Sequence, residues 1–113
     1  MAPSGLAEAM VQIDALVDRL DGMKAMGWRP LPTAPDESPA HSARLLGEQF
    51  REAGRLGLGP KVAGFRERLA QAESGAAALQ EALGHSDRVA SEAAWKTVRA
   101  QCAACHREFR DGR

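Results

Sequence analysis

From Leu6 onward, apolar side chains recur at Leu6, Met10, Ile13, Val17 and Leu20, while Glu8, Gln12, Asp14, Asp18, Arg19 and Asp21 occupy the positions between them. Steps of four and three residues trace one stripe of an amphipathic helix. The stripe predicts a first helix to about Met26, ended by Gly27, with Pro30, Pro32 and Pro35 holding an extended connection. Ser38-Pro39 reads as an N-cap followed by proline at the first helical position, which opens a second helix through Leu45, Leu46, Phe50 and Ala53. That helix should fray between Gly54 and Gly59. Gly59-Pro60 then predicts the start of a third helix, with Val62, Phe65, Leu69, Ala72, Ala76, Leu79 and Leu83 on its apolar face. Gly64 and Gly75 fall inside it, and a kink is expected near Ser74-Gly75. Gly84 closes this helix, Ser86 or Asp87 caps the next, and a fourth carries Val89, Ala93, Val98, Cys102, Cys105, His106 and Phe109.

Four stripes of similar length, each needing neighbours to cover it, predict an all-α antiparallel four-helix bundle with up-down-up-down topology, one domain over residues 1–113. Composition agrees, because aromatics make up only 4% of a chain that is 44% apolar, and residues with high helix propensity dominate. Lys and Arg together number 15 and so do Asp and Glu, which leaves no net charge and no basic arm for nucleic acid or an anionic membrane. No stretch approaches the roughly 20 consecutive apolar residues of a membrane span.

The chemistry lies in Cys102-Ala103-Ala104-Cys105-His106, which contains both cysteines of the chain. On a helix, residues three apart share a face and the next residue lies about a third of a turn away, so two thiols and an imidazole converge on one edge of a planar ring. This is the signature of a covalently attached c-type haem. The thiols of Cys102 and Cys105 become thioethers to the porphyrin vinyl groups, and His106 becomes the proximal iron ligand. Two other readings compete. The cysteines alone would pass as small apolar residues of a helix stripe, and Cys102, Cys105 and His106 with His41 or His85 would supply four zinc ligands to a zinc-stabilised helical interaction domain. Nothing resembles a phosphate loop, a hydrolytic triad or a carboxylate pair, so no enzyme activity is expected beyond what iron provides.

The motif continues as Arg107-Glu108-Phe109-Arg110, and Cys102 through Arg110 resembles the Cys-x-x-Cys-His-x-x-aromatic-Arg/Lys run of class II c-type cytochromes, the cytochrome c′ family. The resemblance implies a haem hung from the last helix of a four-helix bundle, and it extends over the whole chain in helix order. The chain departs from the family in being somewhat short and in lacking tyrosine. When Asp18-Arg19-Leu20 is set on the family's Gly-Arg-Met run, Leu6 stands where many members carry an arginine near a haem propionate, so that contact is not expected here. The same register implies Met10 as the distal ligand.

A thioether on the second axial position suits electron transfer, whereas an unligated distal side leaves iron open to small gases. Single-electron transfer with a redox partner protein is therefore the expected function, and binding or sensing of NO or CO the alternative. Ile13, Val17, Phe65, Leu69 and Phe109 are the expected dry wall of the haem pocket. Trp95 is expected near the ring edge or in ordinary packing, and Trp28 as an anchor of the first connection. Arg99, Arg107 and Arg110 are read first as a solvated face. The resemblance further implies a homodimer through the first two helices, for which Ala9, Leu16, Met23, Ala43 and Leu46 are the surface candidates. Met1 to Gly5 is no signal peptide, yet bacterial haem attachment occurs outside the cytoplasm, so a periplasmic protein whose export signal has been removed is expected.

Overall fold

The computed structural model describes residues 5–110, the side chain of Arg110 excepted. The opening segment Met1–Ser4, read above for an export signal, lies outside the described residues. Four α-helices follow one another: α1 (Leu6–Ala25), α2 (Pro39–Arg55), α3 (Phe65–Gly84) and α4 (Arg88–Cys105), the last continuing into a π-helical turn, His106–Arg110. Among the described residues there is no strand, and no helix is long and apolar enough to cross a membrane.

The helices pack in chain order, α1 on α2, α2 on α3 and α3 on α4. Each pair runs antiparallel. Phe65 near the start of α3 meets Phe109 beyond the end of α4, while Gly75 lies against Val98 further along both. Ile13, Val17, Leu20, Leu46, Phe50, Leu69, Leu79, Trp95 and Val98 belong to one buried cluster drawn from all four helices.

Local chemistry sets the helix ends. The Ser38 hydroxyl accepts from the His41 backbone N–H at 3.1 Å, with Pro39 at the first position of α2, and the Asp87 carboxylate accepts from Ala90 N–H at 3.0 Å to start α4. The third helix begins five residues later than the sequence predicts. Gly64 adopts a left-handed conformation, φ 92°, which ends the preceding loop, and Val62 is left exposed there. The expected interruption at Ser74-Gly75 is absent, because α3 runs unbroken through a buried Gly75. A Cβ at Gly75 would stand 3.2 Å from Val98 Cγ2, so this glycine serves the close approach of α3 and α4.

Two readings of the stripes need correction. In α4, Val89 and Ala93 are exposed, and the inward residues are Ser91, Trp95 and Val98, a stripe that steps back from Cys102 by four, three and four. Ser91 tolerates burial because its hydroxyl donates to the Asp87 carbonyl at 2.7 Å. In α1 and α2, Ala9, Met23, Ala43 and Leu46 are fully buried, so they belong to the core and do not form a dimer surface; Leu16 is half-buried against it. A residue adjacent to a narrow stripe still faces inward when two neighbours flank its helix.

Helices α1 and α4 close the ring of four, and a set of side-chain contacts joins them at one end. There the Asp21 carboxylate accepts from Trp95 Nε1 and from Arg99 Nη1, both at 2.9 Å, and Lys24 pairs with Glu92 at 3.4 Å. Trp28 crosses over from the first connection, donates to Glu92 Oε2 at 2.9 Å and meets Trp95 edge-on at 6.3 Å between ring centroids. The expected anchoring role of Trp28 is thus realised, and Trp95 is occupied in interhelical packing. Since Trp95 is only 3% exposed, Asp21→Ala leaves a buried indole N–H without a partner. The expected cost is about 1–3 kcal/mol, measured by urea denaturation, with much of that loss absent when Trp95→Phe is introduced first.

Candidate functional site

Towards the other end, α1 and α4 diverge and leave two adjoining clefts of about 440 and 490 Å³, each within the size range of cofactor sites. Met10, Asp14, Leu69, Cys105 and His106 line both. The first adds Ile13, Val17, Phe50, Ala72 and Cys102, with Asp18, Arg68, Arg99 and Gln101 as its charged and polar members. The second is more apolar, walled by Leu6, Phe65 and Phe109, the last two packed edge-on at 5.1 Å. All nine residues expected at the site, Cys102, Cys105, His106, Met10, Ile13, Val17, Phe65, Leu69 and Phe109, therefore come together around these two clefts.

Helical geometry explains the convergence. Met10, Ile13 and Val17 follow the stripe of α1, and Phe65, Leu69 and Ala72 follow that of α3, so the two stripes face each other across the gap. Helix α4 brings Cys102 and Cys105 from the third side. His106 differs from expectation in one respect: it begins the π-helical turn instead of continuing the α-helix. Such single turns are rare, occur often at functional sites, and have no signature in hydrophobic spacing.

Both thiols are free. Burial is the largest influence on each and pushes it above the ordinary thiol value. At Cys102 the Arg99 guanidinium opposes the rise, while Cys105 and Asp14 add to it; at Cys105, Arg68 opposes and Glu108 adds. The two sulfurs are consequently held as neutral thiols near neutral pH. Among the described residues, no group of three or more His, Cys, Asp or Glu side chains is placed to hold a metal ion. The zinc reading also lacks its fourth ligand, because His41 starts α2 and His85 ends α3, both at the opposite end of the bundle. His41 Nδ1 pairs with Arg44 Nη2 at 3.1 Å, and His85 Nδ1 with the Glu81 carbonyl at 2.9 Å.

Several lining residues were not foreseen. Phe50 was legible as core but not as cleft wall. Asp14 and Asp18 looked like the solvated face of α1, and Arg68 like surface. Arg99, read first as solvated, lines the cleft while pairing with Asp21 and lying 5.9 Å over the Trp95 ring. Arg107 is exposed as expected, and the side chain of Arg110 lies outside the described residues.

Two half-buried thiols three residues apart, an adjacent imidazole, a facing methionine thioether and apolar walls with cations at one rim are the donor set for a porphyrin with carboxylate substituents. Residues 60–110 match the family model described as Cytochrome C′. Over this segment the chain is similar to the cytochrome c′ family. The match supports a c-type haem protein of the class II cytochromes, and the four-helix fold agrees with it. The match covers α3, α4 and the whole motif, so the roles of α1 and α2 rest on the architecture. No curated protein and no solved structure matches the chain.

The second cleft depends on Gly59, whose φ of 93° is left-handed and whose added Cβ would stand 2.6 Å from Phe65 Cε2 and 3.1 Å from Leu6 Cδ2. Gly59→Ala must strain the backbone or drive the Phe65 ring out of place. We expect a loss of about 2 kcal/mol in denaturant unfolding, together with lower haem occupancy of the matured protein, read as the ratio of Soret to protein absorbance.

Proposed function

We propose that this cytochrome carries single electrons on one covalent haem c, with Cys102 and Cys105 as attachment points, His106 as proximal ligand and Met10 as distal ligand. One observation carries the reading: Met10 on α1 and the Cys105-His106 pair on α4 line the same two clefts, from opposite sides of the gap. When bound, the haem supplies an iron that cycles between ferric and ferrous states. The protein supplies everything else.

Cys102 and Cys105 would hold the ring as thioethers, each thiol supplying to a vinyl group both the sulfur, to the carbon next to the ring, and the hydrogen, to the terminal carbon. No electrons are gained or lost. A thiol kept neutral by burial holds the hydrogen that this addition uses. His106 would hold the iron through an imidazole nitrogen, and Met10 would offer a soft thioether, a donor that favours the ferrous state and raises the potential. The apolar wall of Ile13, Val17, Phe65, Leu69 and Phe109 excludes water and favours the less charged iron. Arg99 supplies a cation at the polar rim for a propionate, a contact that Leu6 cannot make.

Electron transfer of this kind needs a redox partner protein, and a periplasmic location fits haem attachment outside the cytoplasm. A homodimer through α1 and α2, as the family resemblance implies, would use exposed Val11 and half-buried Leu16 in place of the buried residues named above. The alternative function is binding of NO or CO at the distal position, for which the cleft space on both sides of Met10 speaks.

The absorption spectrum of the matured protein separates the two functions. Electron transfer predicts a low-spin ferric spectrum with a methionine-to-iron band near the red end, lost in Met10→Ala, which should then bind CO in the ferrous state. A high-spin spectrum unchanged by Met10→Ala eliminates Met10 as ligand and leaves gas binding.

A further inference from the structure

The π-helical turn that begins at His106 is held from outside by α3. Arg68 Nε and Nη2 donate to the two carboxylate oxygens of Glu108, at 3.3 and 2.6 Å, in the forked arrangement that favours arginine over lysine. Arg68 Nη1 donates to Gln71 Oε1 and to Gln101 Oε1, each at 3.2 Å. Four of the five guanidinium N–H groups are thus committed, and the side chain is only 24% exposed although it lies on the cleft. One turn back on α3, Phe65 packs edge-on against Phe109. Residues 108 and 109 are therefore both fixed to α3, by an ion pair and by an aromatic contact.

We propose that Arg68 is a positioning residue for the iron ligand: its fork to Glu108 fixes the π-helical turn and thereby the orientation of the His106 imidazole against the ring. The proposal rests on His106 being the proximal ligand. Thioethers at Cys102 and Cys105 fix the ring to α4, but they do not determine how the turn after Cys105 winds. A π turn closes its hydrogen bonds over five residues instead of four and is uncommon without external support. Glu108 lies two residues beyond His106, so a change of winding at 108 reaches the imidazole within less than one turn. Arg68 is too fully engaged to serve as a mobile cation for a propionate, a role left to Arg99.

The test uses the matured holoprotein and three variants, Arg68→Glu, Glu108→Arg and the charge-swapped pair, with Arg68→Gln as a neutral replacement should a reversal prevent folding. Covalent haem content is measured first, by mass. A parent without haem defeats the haem reading itself, separately from this inference. With haem present, we expect each single variant to shift the ferric electron paramagnetic resonance g-values and the reduction potential. The swapped pair should return both signals toward the parent. Either signal set unchanged in the single variants, or shifted and not restored by the swap, overturns the proposal; the second result would indicate that Arg68 acts on the haem directly. Thermal unfolding run in parallel identifies a merely structural effect, which would lower stability while leaving the g-values in place.

Discussion

The fold depends on the uneven closure between α1 and α4. At one end Asp21 accepts from both Trp95 and Arg99, and Trp28 braces the same corner through Glu92. Towards the other end the clefts open between Met10 and Cys105-His106. The carboxylate of Asp21 is half exposed, but its partner indole is buried, and an unpaired buried N–H is costly. The bundle is clamped at this end, and the clefts toward the other end are where a planar group has room to enter.

From this constraint the chemistry follows. An open gap between two apolar stripes leaves Leu6, Met10 and Phe109 part-exposed, and a porphyrin would fill such a space with apolar surface. The rim residues Arg99 and Gln101 are polar where ring carboxylates require it. The thiols are shielded enough to remain neutral, yet they line the cleft. The same α3 surface that walls the cavity also fixes the turn after the motif, so wall and ligand are coupled through one helix.

Much of this was legible in the sequence. The period of apolar residues located α1, the Ser38-Pro39 cap started α2, and the spacing of Cys102, Cys105 and His106 indicated the cofactor before any geometry was known. The parts not legible share a physical cause, since each depends on a neighbour and not on local pattern. Val89 and Ala93 look like stripe residues until Trp95, satisfied by a carboxylate from α1, claims the inward face. Met23, Ala43 and Leu46 look peripheral until two flanking helices cover them. The delayed start of α3 reflects the left-handed backbone at Gly64, which ends the loop as readily as it would interrupt a helix. The π turn and the fork from Arg68 to Glu108 join residues 40 positions apart, a relation that spacing cannot express.

Covalent attachment of one haem through Cys102 and Cys105 is read from the mass of the chain matured in a host with a cytochrome c assembly system. The expected mass is that of the apoprotein plus one haem, retained after extraction with acid and organic solvent. In the variant with both cysteines replaced by alanine, the bare chain mass should appear after the same extraction. A parent chain of bare mass carrying two free thiols under those conditions would contradict the account.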